Sequence, residues 1–306
     1  MPSSIAIPPN LPRALKPGDR IGIAAPASPF DGQSFDAGLG VLESMGFNPV
    51  VPEGLSEKNG FLAGTDQHRA DQLTRLFTDP EIGGIICARG GYGSMRILPL
   101  LDADVLARHP KVFVGFSDIT ALIGFLVQRC GMAVFHGPSV TTLGDGNPQT
   151  RERLQAALTR AEPMALTAET GQTIRPGSAE GPFFCGNLTV LCHLTGTPFQ
   201  PDLKGHVLLL EDRGEAPYRI DRMLTQMRMA GCFRGLSGLA LGAFTDCGSS
   251  EQIHAIVDER LSGLDIPILA GFDVGHEGVN PTLPVGITAR LDTASKTLSF
   301  LNPAVC

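Results

Sequence analysis

The segment 84–93, G-I-I-C-A-R-G-G-Y-G, joins a short apolar run directly to a glycine-rich turn, and a helical pattern through Met95 and Leu98 follows it. An apolar run of this length that ends in turn residues is typical of a buried strand in a parallel sheet. The same order of strand, turn and helix recurs at residues 111–129 and, with a longer connection, at residues 19–45. This alternation predicts a parallel sheet with helices on both faces.

The sequence becomes polar in the middle of the chain. A turn cluster, G-D-G-N-P, occupies residues 144–148, and residues 167–182 are polar with three glycines. Beyond this stretch the alternation of apolar strands and amphipathic helices resumes. We therefore predict three parts: an N-terminal α/β domain at 1–160, a linker at 161–182 and a C-terminal α/β domain at 183–306.

The two predicted domains define an α/β fold class. We expect the N-terminal domain to be a doubly wound, mostly parallel sheet of the flavodoxin or amidotransferase kind, and the C-terminal domain to be a smaller α/β unit. Open sheets of this type bind their ligands at the carboxyl ends of the strands. We therefore expect the active site at the junction of the two domains.

The composition excludes several classes of protein. Of the 306 residues, 42% are hydrophobic and 18% are charged, which is unlike a disordered chain. The formal net charge of −7 argues against a nucleic-acid partner, because that affinity comes mostly from cationic contacts to phosphate. The seven cysteines form no C-x-x-C pair, which indicates a reducing compartment and no metal or redox site.

The N-terminal segment 1–17 is rich in proline and lacks a continuous apolar run, so we expect no signal peptide. The longest apolar run, at 121–127, is too short to cross a bilayer. These two features predict a cytoplasmic protein without a membrane partner.

Ser117 lies in V-G-F-S-D, residues 114–118, where a predicted strand runs into a helix through a sharp turn. A serine at such a junction exposes its hydroxyl at the sheet edge, and the following N–H of Asp118 can stabilise an oxyanion. The pattern resembles a nucleophile elbow, but Ile119 stands where G-x-S-x-G has its second glycine. The alternative is an ordinary helix cap formed by Ser117 or Asp118.

Two further positions carry groups that would activate a serine. Glu211 directly follows the apolar run L-L-L at 208–210, and a carboxylate at such a strand end can orient a histidine. The alternative is that Glu211 is simply a solvated residue at the end of a strand. Glu215, four residues further on, is a competing candidate for the acid. His276 lies in D-V-G-H-E-G between two glycines that allow a tight turn, although a loop histidine packed on its neighbours would look the same.

The turn A-R-G-G-Y-G at 88–93 offers backbone N–H groups to an anion. It matches neither the P-loop nor the G-x-G-x-x-G pattern, so phosphate binding is disfavoured. We expect Gly90 or Gly91 to provide a second oxyanion donor. Arg89, or these amides, is our candidate acceptor of a substrate carboxylate.

Taken together, the strings of this sequence resemble the LD-carboxypeptidase family of serine peptidases, which includes muramoyltetrapeptide carboxypeptidases and microcin C immunity peptidases. The matching strings keep one order along the chain: L-A-G-T-D at 62–66, A-R-G-G-Y-G at 88–93, G-F-S-D at 115–118, G-N-L at 186–188, L-E-D at 210–212, P-Y-R-I-D-R at 217–222 and G-H-E at 275–277. The resemblance implies a Ser-Glu-His triad of Ser117, Glu211 and His276, with no metal or other cofactor. It also suggests a homodimer.

The resemblance leaves the substrate open between two branches. The chain has no Trp, and F-F-C-G-N at 183–187 departs from the family string, which often has a second glycine and a preceding Trp. Because microcin C immunity peptidases stack an aromatic side chain on a nucleobase, we favour the other branch: removal of the terminal D-alanine, across an L-to-D bond, from a murein tetrapeptide. The alternatives are a microcin-type peptidase, in which Phe183 or Phe184 replaces the Trp, and a catalytically silent ligand-binding protein.

Overall fold

The computed structural model describes residues 9–144 and 147–306. Residues 1–8 of the predicted N-terminal segment and residues 145 and 146 of the predicted turn cluster lie outside the described residues. The strands, in chain order, are β1 (Arg20–Ala24), β2 (Asn48–Val50), β3 (Ile82–Cys87), β4 (Val112–Gly115), β5 (Val134–His136), β6 (Ala165–Thr167), β7 (Gln172–Arg175), β8 (Ser178–Asn187), β9 (Val207–Arg213), β10 (Gly238–Thr245), β11 (Ile268–Ala270), β12 (Leu283–Val285), β13 (Thr288–Asp292) and β14 (Thr297–Phe300).

Helices connect most of these strands, as the alternating pattern predicts. They are α1 (Gly32–Ser44), α2 (Asp66–Thr78), α3 (Ser94–Ile97), α4 (Ala103–Ala107), α5 (Thr120–Gln128), α6 (Val140–Leu143), α7 (Pro148–Thr159), α8 (Leu188–Leu194), α9 (Pro217–Met229) and α10 (Ser250–Arg260), with 3₁₀ turns at Leu98–Leu100 and Ser117–Ile119. Within the described ranges, no helix is long and apolar enough to cross a membrane.

The first sheet has the strand order β12-β5-β4-β3-β1-β2. Its five N-terminal strands are parallel, and β12 adds to β5 in the antiparallel direction. The strand order reverses between the neighbouring strands β1 and β3, and helices connect the parallel strands, so the α/β prediction for this half is confirmed. Because β12 comes from the C-terminal part of the chain, it ties the two halves together.

The second sheet has the order β6-β14-β13-β8-β9-β10-β11-β7, with β8 to β11 parallel. The segment 161–182, which the sequence predicts as a linker, instead provides β6, β7 and the first residues of β8. The linker was predicted because this segment is polar. In the structure β7 forms the edge of the sheet, and its residues are exposed or half-buried. A strand in that position needs few apolar residues, so its composition resembles that of a loop.

The two sheets meet where α5 packs against β8. A Cβ added at Gly186 would lie 2.3 Å from Thr120 Cγ2, so the glycine permits this close approach. The Thr120 hydroxyl also accepts a hydrogen bond from the Asn187 N–H at 3.0 Å. Since α5 follows Ser117 and β8 pairs with the strand that ends near Glu211, this contact brings the two predicted catalytic segments together.

Candidate active site

Ser117 occupies the turn between β4 and α5. The strand ends at Gly115, and Ser117 has a φ of +62°, a left-handed conformation that is rare outside glycine. Such a conformation costs on the order of 1–3 kcal/mol and is concentrated at functional sites. A Cβ at Gly115 would lie 2.6 Å from Ile119 Cγ2. The glycine therefore makes room for Ile119, which explains how an elbow forms although G-x-S-x-G is incomplete.

His276 links the serine to the acid. Its Nε2 lies 3.0 Å from Ser117 Oγ, and its Nδ1 lies 2.6 Å from Glu211 Oε2. The imidazole side chain is only 13% exposed. His276 is 159 positions from Ser117 and 65 positions from Glu211 in the sequence. The structure nevertheless connects the three predicted triad residues through two consecutive hydrogen bonds.

Glu211 is fully buried on β9, two residues before the strand ends at Arg213. Two glycines make room for its side chain: a Cβ at Gly275 would lie 2.7 Å from Glu211 Oε2, and one at Gly242 would lie 3.3 Å from Glu211 Cβ. Gly275 also has a φ of +127°, which disfavours other residues. The competing acid, Glu215, instead pairs with Arg219 at 3.3 Å.

The aromatic ring of Phe116 packs near the imidazole of His276. The Phe116 ring lies 5.0 Å from the His276 ring and 6.0 Å from the ring of His136, centroid to centroid. His136 is fully buried, and burial lowers its pKa to about 3, with a smaller contribution from the nearby His276. It is therefore neutral at neutral pH and adds no charge beside the His276 imidazole.

The glycine-rich turn after β3 lies directly beside Ser117. A Cβ at Gly90 would lie 3.0 Å from Ser117 Cβ and 3.4 Å from its Oγ, whereas one at Gly91 would lie against Ser28. Gly90 is thus the glycine nearer to the serine. The Ser28 hydroxyl accepts a hydrogen bond from the Tyr92 N–H at 3.0 Å and so holds the turn in place.

Asp118 and Arg89 each make a hydrogen bond that stabilises the backbone near this turn. The buried Asp118 carboxylate accepts a hydrogen bond from the Ser94 N–H at 2.8 Å, which fixes the start of α3. The exposed Arg89 guanidinium donates to the Pro29 carbonyl at 3.0 Å. Both predicted residues lie near Ser117 in the fold, one directly after it and the other next to Gly90.

A buried arginine that the sequence reasoning missed supports the same turn. Arg69 on α2 is 1% exposed and donates hydrogen bonds to the carbonyls of Pro26 and Gly93 and to the Asp66 carboxylate. It therefore joins the loop after β1 to the loop after β3. The string L-A-G-T-D at 62–66, which precedes it, is the signal in the sequence, since Thr65 caps α2 and Asp66 meets Arg69.

A cavity of about 510 Å³ opens beside His276. Its lining includes Phe116, Thr142, Asn147, Arg213 and Asn280. Arg213 is the second residue that the sequence reasoning did not assign to the site. Within the described ranges, no group of three or more His, Cys, Asp or Glu side chains is arranged as a metal site.

Comparison with known proteins identifies the relatives of the chain. The family model of the LD-carboxypeptidase N-terminal domain matches residues 21–137, and that of the LD-carboxypeptidase C-terminal domain matches residues 180–291. A protein of Bacillus subtilis (strain 168), named a probable murein peptide carboxypeptidase, is 36% identical over 296 residues, which cover 94% of this chain and 92% of the relative.

Two solved structures share the whole architecture. The structure of MccF in complex with glutamyl sulfamoyl guanosine has a TM-score of 0.89 at 26% identity, and the match covers 97% of this chain and 99% of that one. The muramoyltetrapeptide carboxypeptidase from Oxalobacter formigenes has a TM-score of 0.81 at 31% identity, covering 92% and 97% of the two chains.

Proposed function

Because the chain belongs to the LD-carboxypeptidase family, we propose that it is a serine carboxypeptidase that removes the terminal D-alanine of murein tetrapeptides during cell-wall recycling. The observation that carries this proposal is the hydrogen-bond chain from Ser117 through His276 to the buried Glu211. The names of the relatives support a murein peptide as the substrate. We also propose that the enzyme is cytoplasmic, which the cysteine pattern favours, and homodimeric, which the resemblance suggests.

In the acylation step, His276 Nε2 accepts the proton of the Ser117 hydroxyl while Oγ attacks the carbonyl carbon of the scissile amide. The imidazolium then gives that proton to the amide nitrogen, the C–N bond breaks and D-alanine leaves. Glu211 holds Nδ1–H at 2.6 Å, which fixes the tautomer and stabilises the imidazolium. Its complete burial strengthens this interaction, because little solvent screens the two charges.

In the deacylation step, a water molecule gives a proton to His276 Nε2 and attacks the acyl carbon. The ester bond to Ser117 breaks, and the imidazolium returns the proton to Oγ. We assign the N–H groups of Asp118 and Gly90 as the oxyanion donors, with Gly91 as the alternative. The support for Gly90 is its position against Ser117, with 3.4 Å between its added Cβ and Oγ.

The alternative activity is cleavage of peptide or aminoacyl nucleotide conjugates, which the similarity to MccF favours. Aromatic stacking on a nucleobase would then fall to a side chain other than Trp. Both Phe183 and Phe184 are fully buried, so neither offers an open ring face to a base. This burial supports the murein peptide over a nucleotide conjugate.

A substrate panel tests the proposal. The purified protein is incubated with a murein tetrapeptide and with an aminoacyl sulfamoyl adenosine, each with and without excess chelator. We expect D-alanine release from the tetrapeptide at a rate that chelation does not change. Cleavage of the nucleotide conjugate alone would refute the recycling role, loss of activity on chelation would refute the metal-free mechanism, and inactivity on both would favour a ligand-binding protein.

A further inference from the structure

Arg213 and Glu211 occupy the same side of strand β9. Alternate residues of a strand point to the same face, so the side chains of residues 211 and 213 project in the same direction, with Arg213 one step nearer the carboxyl edge. Glu211 is fully buried and contacts His276, whereas the Arg213 side chain is 58% exposed. The strand therefore carries the buried acid of the triad and, beside it, an accessible cation.

The cation lines the cavity next to the catalytic imidazole. Arg213 and His276 both border the space of about 510 Å³. Among the described residues that line this cavity, Arg213 is the only lysine or arginine. The lining also contains one acid, Glu277, so Arg213 is the group in this cavity that attracts a substrate carboxylate, and its guanidinium is suited to bind two carboxylate oxygens at once.

Arg213 makes only a weak ion pair in the structure. Its Nε lies 3.8 Å from the Asp246 carboxylate, whose side chain is 72% exposed. An ion pair of this length between two exposed side chains contributes little. By contrast, Arg89 already donates a hydrogen bond of 3.0 Å to the Pro29 carbonyl, and it is absent from the cavity lining.

We propose that Arg213 binds the terminal carboxylate of the residue that leaves. This inference rests on the proposed function and deepens it. In that reaction His276 Nε2 gives a proton to the leaving nitrogen, so the leaving residue lies against the imidazole. Its carboxylate carbon is two bonds from that nitrogen and therefore falls inside the cavity that His276 and Arg213 share. The enzyme thereby recognises a free chain end, which a carboxypeptidase requires and an endopeptidase does not.

The experiment compares two substrates that differ only at the chain end: a murein tetrapeptide with a free terminal carboxylate and the same peptide as its terminal amide. Release of D-alanine or of D-alaninamide is measured with the wild type and with Arg213→Gln, Arg213→Lys and Arg89→Gln. Arg219→Gln is the matched control, because Arg219 is similarly exposed and follows the same strand, but it lies outside the cavity lining.

For Arg213→Gln we expect kcat/KM on the free acid to fall about tenfold, which is the lower range for a hydrogen bond to a charged group. With the amide substrate, kcat/KM of this variant should stay within about twofold of the wild-type value, because the amide lacks the carboxylate that Arg213 would bind. Arg213→Lys should recover part of the loss, and Arg219→Gln should change neither substrate.

Two results would overturn the inference while leaving the proposed function in place. An equal loss on acid and amide would show that Arg213 only supports the fold, and a loss confined to the acid in Arg89→Gln would identify Arg89 as the acceptor. If the wild type cleaves neither peptide, the proposed function fails, and the assignment of Arg213 falls with it.

Discussion

Gly275→Ala tests whether the fit of Glu211 against the histidine turn is required for activity. The added Cβ would lie 2.7 Å from Glu211 Oε2 and 3.1 Å from its Cβ, both shorter than ordinary van der Waals contact. Either the carboxylate or the turn must therefore move by about 0.5–1 Å, and a displacement of that size near reacting groups can cost about a hundredfold in rate. We expect kcat/KM to fall about 10- to 100-fold.

The same substitution strains the backbone, because Gly275 has a φ of +127°. The strain should lower the free energy of unfolding by about 1–3 kcal/mol. The two effects are measured separately, by D-alanine release from a murein tetrapeptide and by urea denaturation. Gly278→Ala is the matched control in the same turn, because its added Cβ meets no atom within 4 Å and its φ is not positive.

We expect Gly278→Ala to retain wild-type stability and to lose less activity than Gly275→Ala, because Gly278 lines the cavity beside His276 but its added Cβ contacts no triad residue. Equal activity of Gly275→Ala and the wild type would refute the reasoning, because Glu211 would then not need its present position. Equal losses in both glycine variants would also contradict it, since the effect would then belong to the turn as a whole.

Three further predictions concern the surroundings of the triad. Replacing Arg69 with Met removes the donor to the Pro26 carbonyl and one of the two arginines that pair with Asp66, the other being Arg96. Urea denaturation should therefore show a loss of about 2 kcal/mol, whereas the exposed Arg75→Met should change little. The pKa of His136 is lowered to about 3 by burial, so its contribution to stability is complete above pH 6.5 and is lost as the pH falls toward 3. Between pH 7 and pH 5 the wild type should therefore lose about 2 kcal/mol more than His136→Leu, and equal losses would contradict the burial of a neutral imidazole. Gly90→Ala should lower kcat about tenfold or more with little change in KM, because its Cβ would crowd Ser117 Cβ at 3.0 Å and shift the assigned oxyanion donor; a change in KM alone would argue against that role.

The alternation of apolar strands and amphipathic helices was sufficient to predict β1, β3 and β4 of the first sheet, because these strands are short and mostly buried and a helix follows each of them in the chain. It did not reveal β12, a three-residue strand that contains Pro284 and pairs with β5, about 150 positions earlier in the chain. Such a pairing depends on how the finished domains meet, and no local pattern encodes it. The strands β6 and β7 were missed for a related reason, since edge strands need few apolar residues.

At the site, motif order along the chain indicated Ser117, Glu211 and His276, and the structure places these three within hydrogen-bonding distance of one another. Their chemical roles stay predictions until activity is measured. Arg69 and Arg213 were not assigned, because each acts through position: one is a buried arginine on a helix, and the other is one of many charged residues at a strand end. Only the packing distinguishes them from ordinary surface arginines.

The most direct test of the account is the rate of D-alanine release by Ser117→Ala. The nucleophile, the base and the acid act as a unit, so removal of the hydroxyl should reduce kcat by a thousandfold or more, on the order of the losses known for serine hydrolase triads. The substitution removes one oxygen from a half-buried side chain, so the fold should persist in urea denaturation. A folded Ser117→Ala that releases D-alanine at the wild-type rate would contradict the central claim that Ser117 forms the acyl-enzyme.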